Sequence, residues 1–282
     1  MFFISNLLNR TYFMKDKRIL YVSSEVVPYL PETEISSMSF EAPKMVNKQG
    51  GQIRIFMPRY GNINERRHQL HEVIRLSGIN LVINDLDMPL IIKVASIPKE
   101  RIQVYFIDNE EYFKRKATLT DEEGKLFPDN DERAIFFAKG VIETVKKLNW
   151  SPDIIHVNGW MASLLPLYLK EFYKNEPLFN ESKIVTSVYN QSFEGTLDKE
   201  MINKVKFDNI DEDLVKVLET PNYSNIMKVA IDHSDALIKG SAVIPDELTE
   251  YLKACGKPVL EYYAPDEFME PYTEFYTTEV LK

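Results

Sequence analysis

Ile19-Leu20-Tyr21-Val22 and Asp153-Ile154-Ile155-His156-Val157 decide how this chain folds. Each is a short, nearly continuous apolar run, the pattern of a strand covered on both faces in a parallel sheet. Outward from the first run, residues 36–48 carry a helical period that stops at Gly50-Gly51, although Pro43 removes a backbone donor from its interior. Ile53-Arg54-Ile55-Phe56-Met57 then reads as a second strand, closed by Pro58. Residues 79–83, 90–95 and 102–107 are strand-like with only turn residues between them, so hairpins are expected there. Residues 118–130 are polar, with Gly124 and Pro128, and read as a loop.

Outward from the second run, Ala134, Phe137, Ala138, Val141, Ile142 and Val145 recur at helical spacing, which predicts a helix over 131–148. A helix over 161–173 follows, then a strand at 183–188, a helix at 222–234, a strand at 236–238 and a last helix at 245–254. Such alternation predicts an α/β fold: a doubly wound, mostly parallel sheet forming one Rossmann-like lobe, with a β-hairpin insertion. The expected organisation is an extension over 1–14, the α/β domain over 15–255 and a C-terminal tail over 256–282.

Composition narrows the function. The 282 residues are 44% hydrophobic, enough for a full core, and 34 basic against 43 acidic residues give a net charge of -9. That charge repels a phosphate backbone and an anionic membrane, so neither nucleic acid nor membrane is expected as a partner. The apolar start Met1-Phe2-Phe3-Ile4 has no basic leader and no small-residue cleavage site, and no later run is long enough to span a bilayer. A single cysteine, Cys255, fits a reducing compartment. A cytoplasmic location is the expectation.

In a sheet of this class ligands meet the residues after the carboxyl ends of strands. The first such loop, 23–35, has no glycine to bring backbone amides to a phosphate, and Glu32 and Glu34 would repel a diphosphate. His156 reads as a core histidine, His68 and His71 as members of a solvated helix face, and His233 as a helix-end partner. Trp160, after the 153–157 run, suits either a stacking platform for a sugar or packing between helix and sheet. No metal-ligand or nucleophile set emerges from the residues themselves.

Taken together, several stretches resemble the N-terminal domain of the bacterial glycogen/starch synthases, glycosyltransferases that use ADP-glucose. They are Val22-Ser23-Ser24-Glu25-Val26 with Pro28, Asp129-Asn130-Asp131-Glu132-Arg133, Asp153-Ile154-Ile155-His156 with Trp160, and Asn225-Ile226-Met227-Lys228 with Asp235. The departures fall at the chemistry. The family's Lys-Thr-Gly-Gly-Leu nucleotide loop aligns with Pro31-Glu32-Thr33-Glu34-Ile35, and its His-Asp-Trp-His with Asn158-Gly159-Trp160-Met161. A thioether at Met161 neither titrates nor donates a hydrogen bond.

The resemblance implies α-1,4-glucan synthesis from ADP-glucose, while the departures imply a chain inactive in isolation, with no catalytic residue, cofactor or metal assigned. An alternative is a non-catalytic module that binds a glucan or a protein partner. A donor domain on a separate chain would reconcile the two. Glu25, Tyr29, Asn158, Trp160, Asn190 and Glu194 are the residues expected to line an α-glucan cleft.

Overall fold

The computed structural model describes residues 13–282. The expected extension lies outside the described residues up to residue 12, while Met14 is already fully buried. In chain order the main elements are β1 (Arg18–Ser23), α1 (Glu34–Lys48), β2 (Gln52–Pro58), β3 (His71–Glu72), β4 (Ile79–Ile83), β5 (Leu86–Ile97), β6 (Ile102–Asp108) and α2 (Asn130–Leu148). They continue as β7 (Ile154–Asn158), α3 (Leu165–Lys170), β8 (Lys183–Val188), α4 (Tyr223–Asp232), β9 (Ala236–Lys239), α5 (Asp246–Ala254), β10 (Val259–Leu260) and α6 (Met269–Phe275).

The sheet runs β10-β9-β8-β7-β1-β2-β6-β5-β3, with β4 paired to β5. From β10 to β6 every pairing is parallel, and β3, β4 and β6 pair antiparallel with β5. The strand order reverses at β1, which lies between β2 and β7, so right-handed crossovers send helices to opposite faces. The fold is therefore the expected α/β sheet with an antiparallel hairpin region. Its core sits on β1 and β7, where Ile19, Tyr21, Val22, Ile154, Ile155 and Val157 show no exposed surface.

Helix α1 starts at a reciprocal cap. Thr33 Oγ1 accepts from the Ser36 N–H at 3.0 Å, and Ser36 Oγ accepts from the Thr33 N–H at 2.7 Å. The helix runs through Pro43, which gives no N–H to the Ser39 carbonyl, because Ala42, Pro43, Met45 and Val46 on either side of the break are all buried. In α2 the apolar positions expected from spacing are buried, and Asn149 ends the helix in the left-handed region at φ 48°. Among the described residues no helix is long and apolar enough to cross a membrane.

Arg133 explains much of the region before α2. Its guanidinium is fully buried against the rings of Phe113, Phe127 and Tyr60, at 5.2, 5.4 and 5.6 Å. It donates through Nη1 to the Thr118 carbonyl at 2.9 Å and to Asn130 Oδ1 at 2.6 Å. Burial pushes the guanidinium down to about 10, yet it stays charged at neutral pH. The 118–130 loop is thus tied to the helix it precedes, with a single bridge between Thr120 and Leu126 inside it.

Two expectations change. The helix expected over 161–173 is split into a 3-10 turn at Trp160–Ala162 and the short α3, because Pro166 lies at the helix start and cannot donate to the preceding turn. His68 ends a four-residue helix, Glu65–His68, while His71 lies in the edge strand β3 opposite Val94, so the two histidines share no helix face.

The residues after Cys255 are packed into the fold. β10 extends the sheet beside β9, and α6 passes into a wider π turn over Tyr276–Val280. Phe268, Tyr272, Phe275, Tyr276 and Val280 are buried there. Tyr276 reaches the sheet centre: its hydroxyl lies 2.6 Å from His156 Nδ1 and 3.4 Å from the Tyr21 hydroxyl. Ser187 Oγ meets the other ring nitrogen of His156 at 2.7 Å, so both are partnered.

Candidate functional site

In sheets of this class ligands bind where the strand order reverses, which here is beyond the carboxyl ends of β1 and β7. In register, Ser23 lies beside Asn158. Ser24 then bridges the two strands: its N–H donates to the Asn158 carbonyl at 2.9 Å, and its hydroxyl accepts from the Met161 N–H at 3.2 Å. This leaves no room above Ser24. Gly159 sits at φ 84° and ψ 161°, a region open essentially to glycine alone, and a Cβ there would stand 2.4 Å from Ser24 Oγ. Gly159→Asp, which moves the sequence toward the family signature, is expected to destabilise the fold by at least about 2 kcal/mol. A urea midpoint unchanged from the parent would show that the turn tolerates a side chain.

Around this turn the structure gathers part of the expected set. Glu25 is half-buried; Thr33 Oγ1 donates to its carboxylate at 2.7 Å and Gln191 Nε2 at 3.1 Å. The same Gln191 accepts from the Trp160 N–H through Oε1, at 3.3 Å. Asn158, buried, accepts from the Tyr189 hydroxyl at 3.1 Å. The Asn190 N–H donates to Ser241 Oγ at 3.0 Å, and Ser241 in turn donates to the Glu34 carboxylate. These are three hydrogen-bonded groups, Glu25–Gln191–Trp160, Asn158–Tyr189 and Asn190–Ser241–Glu34, brought side by side by the consecutive residues Tyr189, Asn190 and Gln191.

Three expected residues sit differently. Trp160 is only 4% exposed and packs edge-on against Phe193 at 5.5 Å, so its ring is a packing element and not an open platform in this conformation. Tyr29 lies apart from these groups, against Phe106 at 4.9 Å and His68 at 5.0 Å, with its buried hydroxyl unpartnered. Glu194 is exposed and makes no hydrogen bond or ion pair among the described residues. Gln191, the residue that joins Glu25 to Trp160, went unread. It is 166 positions from Glu25, and nothing local marks it.

The electrostatics of this edge are set by carboxylates. Met161, aligned with the family's catalytic histidine, is fully buried. Farther along, after β2 and β6, Arg59 and Lys93 meet Glu65 and Asp108; Lys93 Nζ is 2.7 Å from Glu65 and 3.0 Å from Asp108, and Arg59 Nε is 3.5 Å from Asp108. Burial alone would raise Glu65, but Lys93 and Arg59 outweigh it and hold the carboxyl below its ordinary value. Both cations are thus committed to carboxylates of their own. Among the described residues no group of three or more His, Cys, Asp or Glu is placed to hold a metal ion.

Known proteins extend this geometry. The profile of the starch synthase catalytic domain matches residues 18–257. The glycogen synthase of Chlorobium limicola is 36% identical over 232 residues, covering 82% of this chain and 47% of that protein. The glycogen synthase of Chlorobium luteolum is 35% identical over 244 residues, covering 86% and 49%. The chain spans about half the length of the curated relatives it matches. Among solved structures, the catalytic domain of starch synthase IV from Arabidopsis thaliana, bound to ADP and acarbose, superposes with a TM-score of 0.69 over 88% of this chain and 51% of that one, at 15% identity, a likeness of fold. With the profile spanning nearly all of the sheet and its helices, the chain belongs to the starch synthase catalytic domain family, as a homologue of the N-terminal half of glycogen synthases.

Proposed function

We propose that this chain is the glucan-handling half of a synthase-type site, binding an α-glucan at the carboxyl ends of β1, β7 and β8 without transferring glucose from ADP-glucose by itself. The observation that carries this reading is the charge at the site. Glu32 and Glu34 lie in the segment that resembles the family's nucleotide loop, where that loop carries a lysine and glycines, and Met161, in the place of a histidine in the family pattern, is buried. Stabilising a diphosphate leaving group requires preorganised positive charge. Carboxylates and amides such as Glu25, Asn190 and Gln191 suit sugar hydroxyls instead, accepting from them or donating to them.

The test is a transfer assay of the purified chain with ADP-glucose and glycogen, paired with calorimetry against maltoheptaose and ADP. Expected are no turnover, a measurable heat with maltoheptaose and none with ADP. Turnover by the chain alone would overturn the reading, and so would a silent maltoheptaose titration. A second reading, in which a donor-binding lobe completes the enzyme, keeps the same glucan site. Under it, turnover appears only when such a lobe is added.

A further inference from the structure

A cavity of about 370 Å³ lies between the first turn of α1 and the segment after β10. Glu32 and Glu34 line one side, Tyr262 and Tyr263 the other, with Gly240 and Tyr272 also in its wall. No lysine, arginine or histidine lines it. Lys239, next in sequence to Gly240, is held by Glu261 at 4.0 Å. Glu32 has no hydrogen-bond or salt-bridge partner among the described residues, and Tyr263 is 39% exposed.

A helix start ordinarily attracts anions, but two features disfavour them here. The amides of Thr33 and Ser36 are consumed by the reciprocal cap, and Glu34 already sets a negative charge against the dipole. What remains is an uncompensated carboxylate facing aromatic rings across a space large enough for a small organic group. Rings present negative faces, which attract a cation most strongly when a carboxylate shares the site. A neutral sugar would leave the Glu32 charge unmet, and a phosphate would meet repulsion from Glu32 and Glu34.

We propose that this cavity binds an organic cation, the ammonium or guanidinium group of a small amine or of a basic side chain, between Glu32 and the ring of Tyr263. The proposal does not rest on glucan binding at the strand ends, although Glu34 also bonds Ser241 there.

Amide resonances of Glu34 and Gly240 in the full-length chain report on it. Arginine ethyl ester, spermidine and the tripeptide amide acetyl-Gly-Arg-Gly are titrated in turn, with acetyl-Gly-Ala-Gly amide as the neutral control. Saturable shifts with the cations are expected at both amides. Glu32→Gln should weaken binding about tenfold, and Tyr263→Ala about threefold to fivefold. Glu123→Gln makes the same change in net charge on the distant 118–130 loop and should alter affinity less than about twofold. Tripeptide binding as tight as that of the free amines assigns the cation to a protein side chain, and preference for the free amines assigns it to a small molecule. Equal losses in Glu32→Gln and Glu123→Gln, no saturable shift with any cation, or equal shifts with the neutral tripeptide would overturn it.

Discussion

Tyr276→Ala is expected to remove about 4–6 kcal/mol of stability, a large share of what a domain holds. The ring is fully buried among His156 and Tyr272, with centroids 5.9 and 6.1 Å away, so truncation leaves a cavity at the sheet centre. It also strips His156 Nδ1 of its partner at 2.6 Å, in a place water does not reach. Tyr276→Phe separates the two effects by keeping the ring and deleting the hydroxyl, with an expected loss of about 1–3 kcal/mol. Urea unfolding read by both near- and far-ultraviolet circular dichroism checks the pair. A loss below about 1 kcal/mol for the alanine variant would mean that the C-terminal helix is not part of the cooperative core.

The second large effect is acid sensitivity through His156. Burial pushes the imidazole down to about 3 from an ordinary value near 6.5. In the unfolded chain the ring takes a proton as the pH falls past 6.5, while in the folded chain it stays neutral until about 3. Across that window the unfolded state binds one more proton, so His156 contributes stability that is complete above pH 6.5 and is lost toward pH 3, at about 1.4 kcal/mol per pH unit. Asp131 runs the other way, because burial at the start of α2 pushes its carboxyl up to about 6 against the pull of Lys204. The informative quantity is therefore the difference between parent and His156→Gln. The variant should be less stable at pH 7.5 and should have a flatter acid limb between pH 6 and 4 in urea midpoints. Parallel curves for the two proteins would refute the assignment.

The central strands were readable because they are buried on both faces, so Ile19–Val22 and Ile154–Val157 show apolar runs with almost no alternation. The hairpin region was readable for a different reason: residues 79–107 offer no segment long enough for a helix. Helix ends were less readable where one proline decides the outcome. Pro43 is carried by buried neighbours, whereas Pro166 begins a new helix, and spacing alone does not separate the two cases. The site was only partly readable. Glu25 and Asn158 lie at strand ends, which position alone reveals, while Gln191, Ser241 and Tyr276 act through partners that loops and whole elements separate from them in sequence. Tyr29 and Trp160 show how position alone leaves packing undecided. Both are aromatic residues beside strand ends, and in this conformation both rings are packed.

The bond between Tyr276 and His156 spans 120 positions, and the contact with Tyr21 spans 255. A polypeptide emerging N-terminus first from the ribosome exposes β1 and β7 long before it delivers the residue that completes their hydrogen bonding. During synthesis the nascent sheet therefore carries two buried-type polar groups with their partner still inside the exit tunnel. That interval is when holding chaperones have the most to cover.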